Sequence, residues 1–181
     1  MKTLLMGCGR KTEVLRFVST AGTDQLTAQW QPAQGDVVRL DINKDHDPDV
    51  VHDLNRRPLP FADNEFDEIH AYEVLEHLGR QGAYIQFFEE FAEYWRILKP
   101  GGLLVATVPH HDSIWAWGDP SHTRIISVAT LTFLSQESYT TQVGKTALSD
   151  FRYIYKADFD LVRGIRLGPD NLYFEIKAIK P

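Results

Sequence analysis

The sequence has a single cysteine, Cys8, and no second thiol to pair with it. An internal disulfide is therefore excluded, no cysteine-based zinc motif can be built, and the chain suits a reducing cytoplasmic setting. Positive charge is also scarce. The 19 Lys and Arg stand against 25 Asp and Glu, a formal net charge of −6. That balance disfavours a broad electrostatic grip on nucleic acid. No apolar run is long enough to span a bilayer, so no membrane partner is expected. The opening residues carry one lysine and a short apolar run, but glycines and charges follow at once. They read as a strand and not as a secretory leader. Repeats, low-complexity tracts and linker-like stretches are missing too. The 181 residues are expected to form one domain, 1–181, with a sizeable core.

What is present begins with an apolar strand, 2–6, that runs into the turn Gly7-Cys8-Gly9. Glycine tolerates positive φ and has no Cβ, so backbone can approach a ligand closely there. Alone this turn is weak evidence. Residues 12–21 carry Val14, Leu15, Phe17 and Val18 between polar neighbours and read as a short amphipathic helix, capped by Thr12 and stopped by Gly22. Residues 23–35 read as irregular, with Trp30 and Pro32 in a surface flap. Strands follow at 37–42 and 50–54, each running into an acid, Asp41 and Asp53. The acidic segment between them imitates a calcium loop. Its sixth and twelfth positions are His46 and His52, where Gly and Glu are needed, so it reads as a solvated loop.

Residues 55–64 are a loop by composition, 66–72 a fourth strand, and 73–78 a short helix or turn at its end. Tyr84, Phe88, Phe91, Trp95 and Leu98 step by four and three, which predicts a helix over 82–98 with Glu89, Glu90 and Glu93 on the wet side. Lys99-Pro100-Gly101-Gly102 ends it. A fifth strand spans 103–108, an irregular His- and Trp-rich stretch 109–124, and a helix 127–134. Strands at 157–167 and 171–180 flank a strong hairpin turn. The alternation predicts an α/β, Rossmann-like, doubly wound and mostly parallel seven-stranded sheet closed by a C-terminal antiparallel hairpin. Ligands bind such sheets at the carboxyl ends of the strands, where Gly7, Asp41, Asp53 and Glu73 all fall.

Six pieces occur in order: Leu5-Met-Gly7-Cys8-Gly9; Leu40-Asp41-Ile-Asn43; His52-Asp53-Leu-Asn55; Leu59-Pro-Phe61 leading to Phe66-Asp67; Val74-Leu-Glu76-His77; and Leu98-Lys-Pro-Gly-Gly102. With them the sequence resembles the class I S-adenosylmethionine-dependent methyltransferases, in the small group with a "methyltransferase type 11" pattern. The resemblance covers roughly residues 2–110. It implies S-adenosylmethionine as cofactor. Gly7, Cys8, Gly9 and Arg10 would lie at its amino-acid part. Asp41, followed by Ile42, would accept the two ribose hydroxyls, since a carboxylate has two oxygens and no donor of its own. Asp53 would take the adenine amino group, with Leu54 against the ring. Glu73, Val74 and His77 would line the floor near the sulfonium. The competing readings are bland ones: a strand-end turn for Asp41, a loop-capping acid for Asp53, a solvated charge for Arg10, and a small loop residue for Cys8.

Methyl transfer asks first for alignment and exclusion of water, and for a base only when the acceptor is weakly acidic. His122 and His111 are the candidate catalytic residues. His110, Trp115, Trp117 and Arg124 are the candidate substrate contacts. His110, His111, Asp112 and His122 have metal-binding donors, but adjacent histidines in a strand-end loop are expected to point apart, so no metal is expected. A small-molecule acceptor ranks first, with a protein or nucleic-acid acceptor behind it. Leu5 stands where the family has an acid and Lys11 where it has a third glycine. These departures support an alternative, a non-catalytic S-adenosylmethionine-binding protein that retains the fold. A nicotinamide-dependent oxidoreductase is a further rival, opposed by the later motifs.

Overall fold

The computed structural model describes residues 1–19 and 26–181. Its main sheet contains β1 (Lys2–Met6), β4 (Asp36–Asp41), β5 (Val50–Val51), β6 (Phe66–Tyr72), β7 (Leu98–Pro109), β8 (Phe159–Leu167) and β9 (Asn171–Ala178). The spatial order is β5-β4-β1-β6-β7-β9-β8. The first five strands are parallel, and β9 runs antiparallel to both neighbours. This is the expected α/β sheet with its closing hairpin. Strand order reverses at β1, which has β4 on one side and β6 on the other. The crevice at such a reversal is where this architecture takes ligands.

Period-two alternation divides the sheet's side chains between two faces. Leu4, Met6, Ile69, Ala71, Leu104, Ala106 and Phe174 share one core with Phe88, Phe91 and Ile97 of α1 (Tyr84–Ile97). The same core receives Leu131 of α3 (Val128–Leu131), Leu134 and Tyr139 of α4 (Gln136–Gln142). α4 has no counterpart in the sequence-based expectation. α2 (Trp115–Gly118) is a single turn inside the stretch expected to be irregular. Two expectations for α1 are corrected: Glu90 and Glu93 are buried and not on the wet side. Glu90 accepts from Arg124 Nη2 at 2.6 Å and from the Tyr94 hydroxyl at 3.0 Å. Glu93 accepts from Arg96 and from the Leu59 N–H. Ion pairing replaces water for both carboxylates. β7 begins at Leu98, earlier than expected, because Lys99–Gly102 forms an irregularity within the strand.

The other face holds the largest correction. Where the sequence predicts a helix over 12–21, the chain forms β2 (Glu13–Ser19), paired antiparallel with β3 (Leu26–Pro32). The predicted stop at Gly22 lies outside the described residues. Leu15 and Phe17, two apart, pack on Val105 and Tyr173. An apolar set at 14, 15, 17 and 18 satisfies either period over so short a segment, and the sheet beneath selects the strand. A polar seam fastens the hairpin. The Leu15 N–H donates to the Tyr72 hydroxyl at 2.7 Å, and that oxygen lies 2.6 Å from His70 Nδ1. His70 Nε2 lies 2.9 Å from Glu68 Oε2. Arg16 then clamps both Glu68 oxygens. Trp30 is not a loose flap: it packs edge-on against Tyr72 at 4.8 Å, with Lys11 over its ring.

Candidate active site

A cavity of about 340 Å³ opens at the carboxyl ends of β1, β4 and β6. Small-ligand clefts commonly hold about 300–1,000 Å³. Gly7, Asp41, Ile42, Asp53, Leu54, Glu73, Val74 and His77 line it, with Asn55 and Leu78, which the sequence reading omits. Gly7 has φ +56°, and a Cβ there would stand 2.6 Å from Val74 Cγ2. Only glycine fits this turn, on both conformational and steric grounds. Ile42 is 66% exposed, an aliphatic side chain at the cavity wall with no protein partner covering it.

Asp41 ends β4 with 6% exposure. Its Oδ2 accepts the Gly9 N–H and its Oδ1 the Asn43 N–H, both at 2.8 Å. His46 Nδ1 stands 3.3 Å from Oδ1, out of hydrogen-bond alignment. Burial alone would raise this carboxyl's pKa. The two N–H donors and the neighbouring histidine outweigh burial and hold it below its ordinary value. Each carboxylate oxygen has about two lone-pair directions, so one remains free on each. That leaves a pair of acceptors suited to two adjacent hydroxyls. The same carboxylate locks the glycine turn to β4.

Asp53 does cap its own loop, through Oδ1 and the Asn55 N–H at 2.9 Å, while also lining the cavity. The loop-capping bond is thus present, and the position at the cavity leaves a role toward a ligand sterically open. Glu73 has φ +55°, and its N–H donates to Thr107 O at 2.9 Å. Burial raises its pKa. Cys8 and Gly9 border a second, smaller space of about 210 Å³, which shares Gly7 with the main cavity and reaches Tyr72 beneath the hairpin. Burial pushes the Cys8 thiol up, away from thiolate chemistry. Arg10 is not brought to the cavity. Its Nη2 reaches the Asp45 carbonyl at 3.3 Å.

The loops after β7 differ from expectation. His110 and His111 do not point apart: their ring centroids lie 4.3 Å from each other, with the planes tilted by 38°. His110 Nδ1 meets Asp112 at 2.5 Å, and Arg166 bonds the other Asp112 oxygen at 2.9 Å. This group secures the turn of the C-terminal hairpin, since the His110 N–H also donates to Asp170 O. Neither His111 nor His110 lines the cavity, nor do Trp115 and Trp117, which are exposed. Arg124 is not free for a substrate. It is 5% exposed, donates to Leu75 O and pairs with buried Glu90.

His122 stands one layer behind the wall. Its ring packs edge-on against His77 at 4.7 Å, and its Nδ1 lies 2.9 Å from Trp115 O. Glu76, on the short turn after β6, lies beneath both rings at 2% exposure. Neither of its oxygens has a hydrogen-bond partner. Burial, and then the charge of Glu73, push its carboxyl up to about 8. In the sequence Glu76 stands out only as part of the run Val74-Leu-Glu76-His77. It stands two residues past Val74 and immediately before His77, both wall residues, and no local pattern marks it.

Comparisons with known proteins point one way. A family profile described as "Methyltransferase domain" matches residues 4–106. A probable S-adenosylmethionine-dependent methyltransferase of Mycolicibacterium smegmatis is 30% identical over 135 residues, 63% of this chain and 50% of that protein. The chain thus spans about half the length of this curated relative. Among solved structures, a SAM-dependent methyltransferase from Archaeoglobus fulgidus aligns with TM-score 0.56 at 17% identity, covering 97% of this chain and 85% of that one. A putative methyltransferase of Haloferax volcanii, solved with the Trm112 methyltransferase activator, aligns with TM-score 0.58 at 14% identity, covering 99% and 83%. At these identities the structural likeness speaks for the fold.

Proposed function

Since the chain belongs to the methyltransferase domain family, we propose that it transfers a methyl group from S-adenosylmethionine to a small-molecule acceptor. The observation that carries this reading is the convergence of four strand ends: Gly7, Asp41, Asp53 and Glu73 line one cavity. Their chemistry fits the cofactor. The two free directions on Asp41 match a vicinal diol, and Asp53 Oδ2, loosely paired with Arg56 at 3.8 Å, can still accept from an amino donor. Exposed Ile42 and buried Leu54 supply apolar surface for a purine ring, and Gly7 gives close backbone approach. Bound there, the cofactor supplies a methyl group on a positively charged sulfur with a good leaving group in place. The chain's task is then alignment and exclusion of water. Where the acceptor is a hydroxyl or a thiol, His77 with His122 behind it is the group placed to take the proton. Acidic Glu73 in the same wall favours a cationic ligand.

Calorimetry with S-adenosylhomocysteine, followed by transfer of labelled methyl over a panel of hydroxyl, amine and thiol acceptors, tests the proposal. Absence of binding by both the cofactor and its demethylated product defeats it. One observation favours a second reading, a cofactor-binding protein without transfer: the hairpin β2–β3 stands where a helix is expected after the glycine turn. Tight binding with no turnover on any small molecule, protein or RNA would select that reading.

A further inference from the structure

Glu76, His77 and His122 meet at one point beside the cavity. The candidate ligand atoms of the three side chains lie within 4.8 Å of one another. Glu76 Oε1 is 3.9 Å from the Nε2 of each ring. His77 Nδ1 stands 3.3 Å from Ser121 O, and His122 Nδ1 stands 2.9 Å from Trp115 O. A carbonyl oxygen only accepts, so each Nδ1 carries the proton and each Nε2 presents a bare lone pair. Among the described residues neither Nε2 has a hydrogen-bond partner, and the buried Glu76 carboxylate has none either. With Glu76 ionised, three electron-pair donors face each other with no hydrogen-bond donor between them. The surrounding charge has the same sign: Glu73 and Asp119 add to the negative potential, Asp119 Oδ2 lying 3.9 Å from His122 Nε2. The nearest cation, Arg124, is engaged by Glu90.

We propose that Glu76, His77 and His122 bind a divalent transition-metal ion of the zinc class at the wall of the cavity. Two imidazoles and one carboxylate form a known three-ligand set that leaves a position for an outside ligand. Zinc–nitrogen and zinc–oxygen bonds of about 2.0–2.2 Å put tetrahedral ligands about 3.4 Å apart. The two Glu76–histidine edges, at 3.9 Å, need a contraction of about 0.5 Å to reach that spacing, and the histidine–histidine edge, within 4.8 Å, one of up to about 1.4 Å. The backbone carbonyls on both Nδ1 atoms are the usual device for aiming a histidine at a metal. The frame is rigid. Thr123 donates its N–H and hydroxyl to Glu76 O at 2.9 and 3.1 Å, and Arg124 ties the same segment to Leu75 and Glu90. An ion held there would present its open position to an oxygen, nitrogen or sulfur atom of an acceptor beside His77 and would acidify that atom directly, in place of proton uptake by the His77 ring, whose Nε2 lone pair it would occupy. The cluster of His110, His111 and Asp112 is a poorer candidate, since Arg166 already neutralises Asp112.

The test uses the full chain without a histidine tag, stripped with chelator and titrated with CoCl₂ and ZnCl₂. One ion per chain is expected, with the visible bands of a low-coordinate cobalt site. Glu76→Gln and His122→Gln should each weaken binding more than about tenfold, since one of three protein ligands is lost. Asp112→Ala should leave it unchanged. Circular dichroism checks folding. Should Glu76→Gln fail to fold, His77→Ala, a partly exposed position, reads the same loss. Absence of a stoichiometric ion, or equal affinity in the folded ligand variants, overturns the proposal. Calorimetry of S-adenosylhomocysteine on the stripped protein is scored separately. S-Adenosylhomocysteine binding by a protein that takes up no stoichiometric ion sinks the metal site alone, and stoichiometric ion uptake by a protein that binds no S-adenosylhomocysteine sinks the methyltransferase reading alone.

Discussion

Replacing Glu68 by glutamine removes one charge from the seam that fastens β2 to β6. Glu68 accepts from both ends of the Arg16 guanidinium and from His70, and its side chain is 12% exposed. Burial acts against its charge, and His70 and Arg16 more than compensate. Its carboxyl is held at about 2, against 4.5 ordinarily, and at about 1.4 kcal/mol per pH unit that gap corresponds to about 3 kcal/mol. The folded pKa is the lower one. The stabilisation is therefore complete above about pH 4.5 and is lost as pH falls toward 2. Glu68→Gln should cost about 3 kcal/mol at pH 7, which for a chain of this size lowers Tm by about 6–12 °C. Urea unfolding of both proteins at pH 7 and at pH 3 isolates the term, because other titrating groups cancel in the difference. The gap should narrow at pH 3. A gap below about 1 kcal/mol at pH 7, or one that pH does not change, refutes the assignment of Glu68 as the hairpin's anchor.

Asp41→Ala should weaken S-adenosylhomocysteine binding by about 1–3 kcal/mol by calorimetry, since charge-assisted hydrogen bonds are lost; unchanged affinity in a folded variant removes Asp41 from the site. Gly7→Ala should lower both Tm and cofactor affinity, and Val74→Ala added to it should recover part of the loss, because Val74 Cγ2 is the atom the new Cβ would strike. Glu90→Gln should destabilise the fold by about 3 kcal/mol or more in urea, because it leaves Arg124 buried and half-paired. Hydrogen exchange at the Thr123 amide should rise with it.

The strands of the main sheet were legible because their patterns were long or carried strong punctuation. Phe66–Tyr72 and the pair around the Gly168 turn are found where the alternation predicts them. β2 was not legible. Its seven residues fit two periods, and Val105 and Tyr173, far along the chain, decide between them. The strand-end acids were readable from position alone, since the sheet dictates where its carboxyl ends converge. Glu90 and Glu93 were misplaced because helical spacing locates apolar residues, while Arg124 and Arg96 bring carboxylates inside. Glu76 escaped notice for a related reason. Its isolation is a property of packing, created when residues 121–124 close over the turn after β6, and no local pattern records it.

The hairpin at the glycine turn has an electrical consequence. A helix starting there would direct about half a positive charge at the bound ligand, whereas strand dipoles alternate and sum to little. Asp41 and Glu73 then set the sign of the potential, since the helical turns that follow them, Lys44–His46 and Leu75–His77, are only three residues long. S-adenosylmethionine carries one more positive charge than the thioether left after transfer. In the metal-free protein a site with this polarity would hold the charged donor more tightly than the spent product, so discharge of the sulfonium would itself weaken the grip, and an ion held by Glu76, His77 and His122 would reduce that preference. If the chain transfers methyl, product departure would thereby be coupled to the chemical step, and the preference for donor over product should shrink as added salt screens the wall.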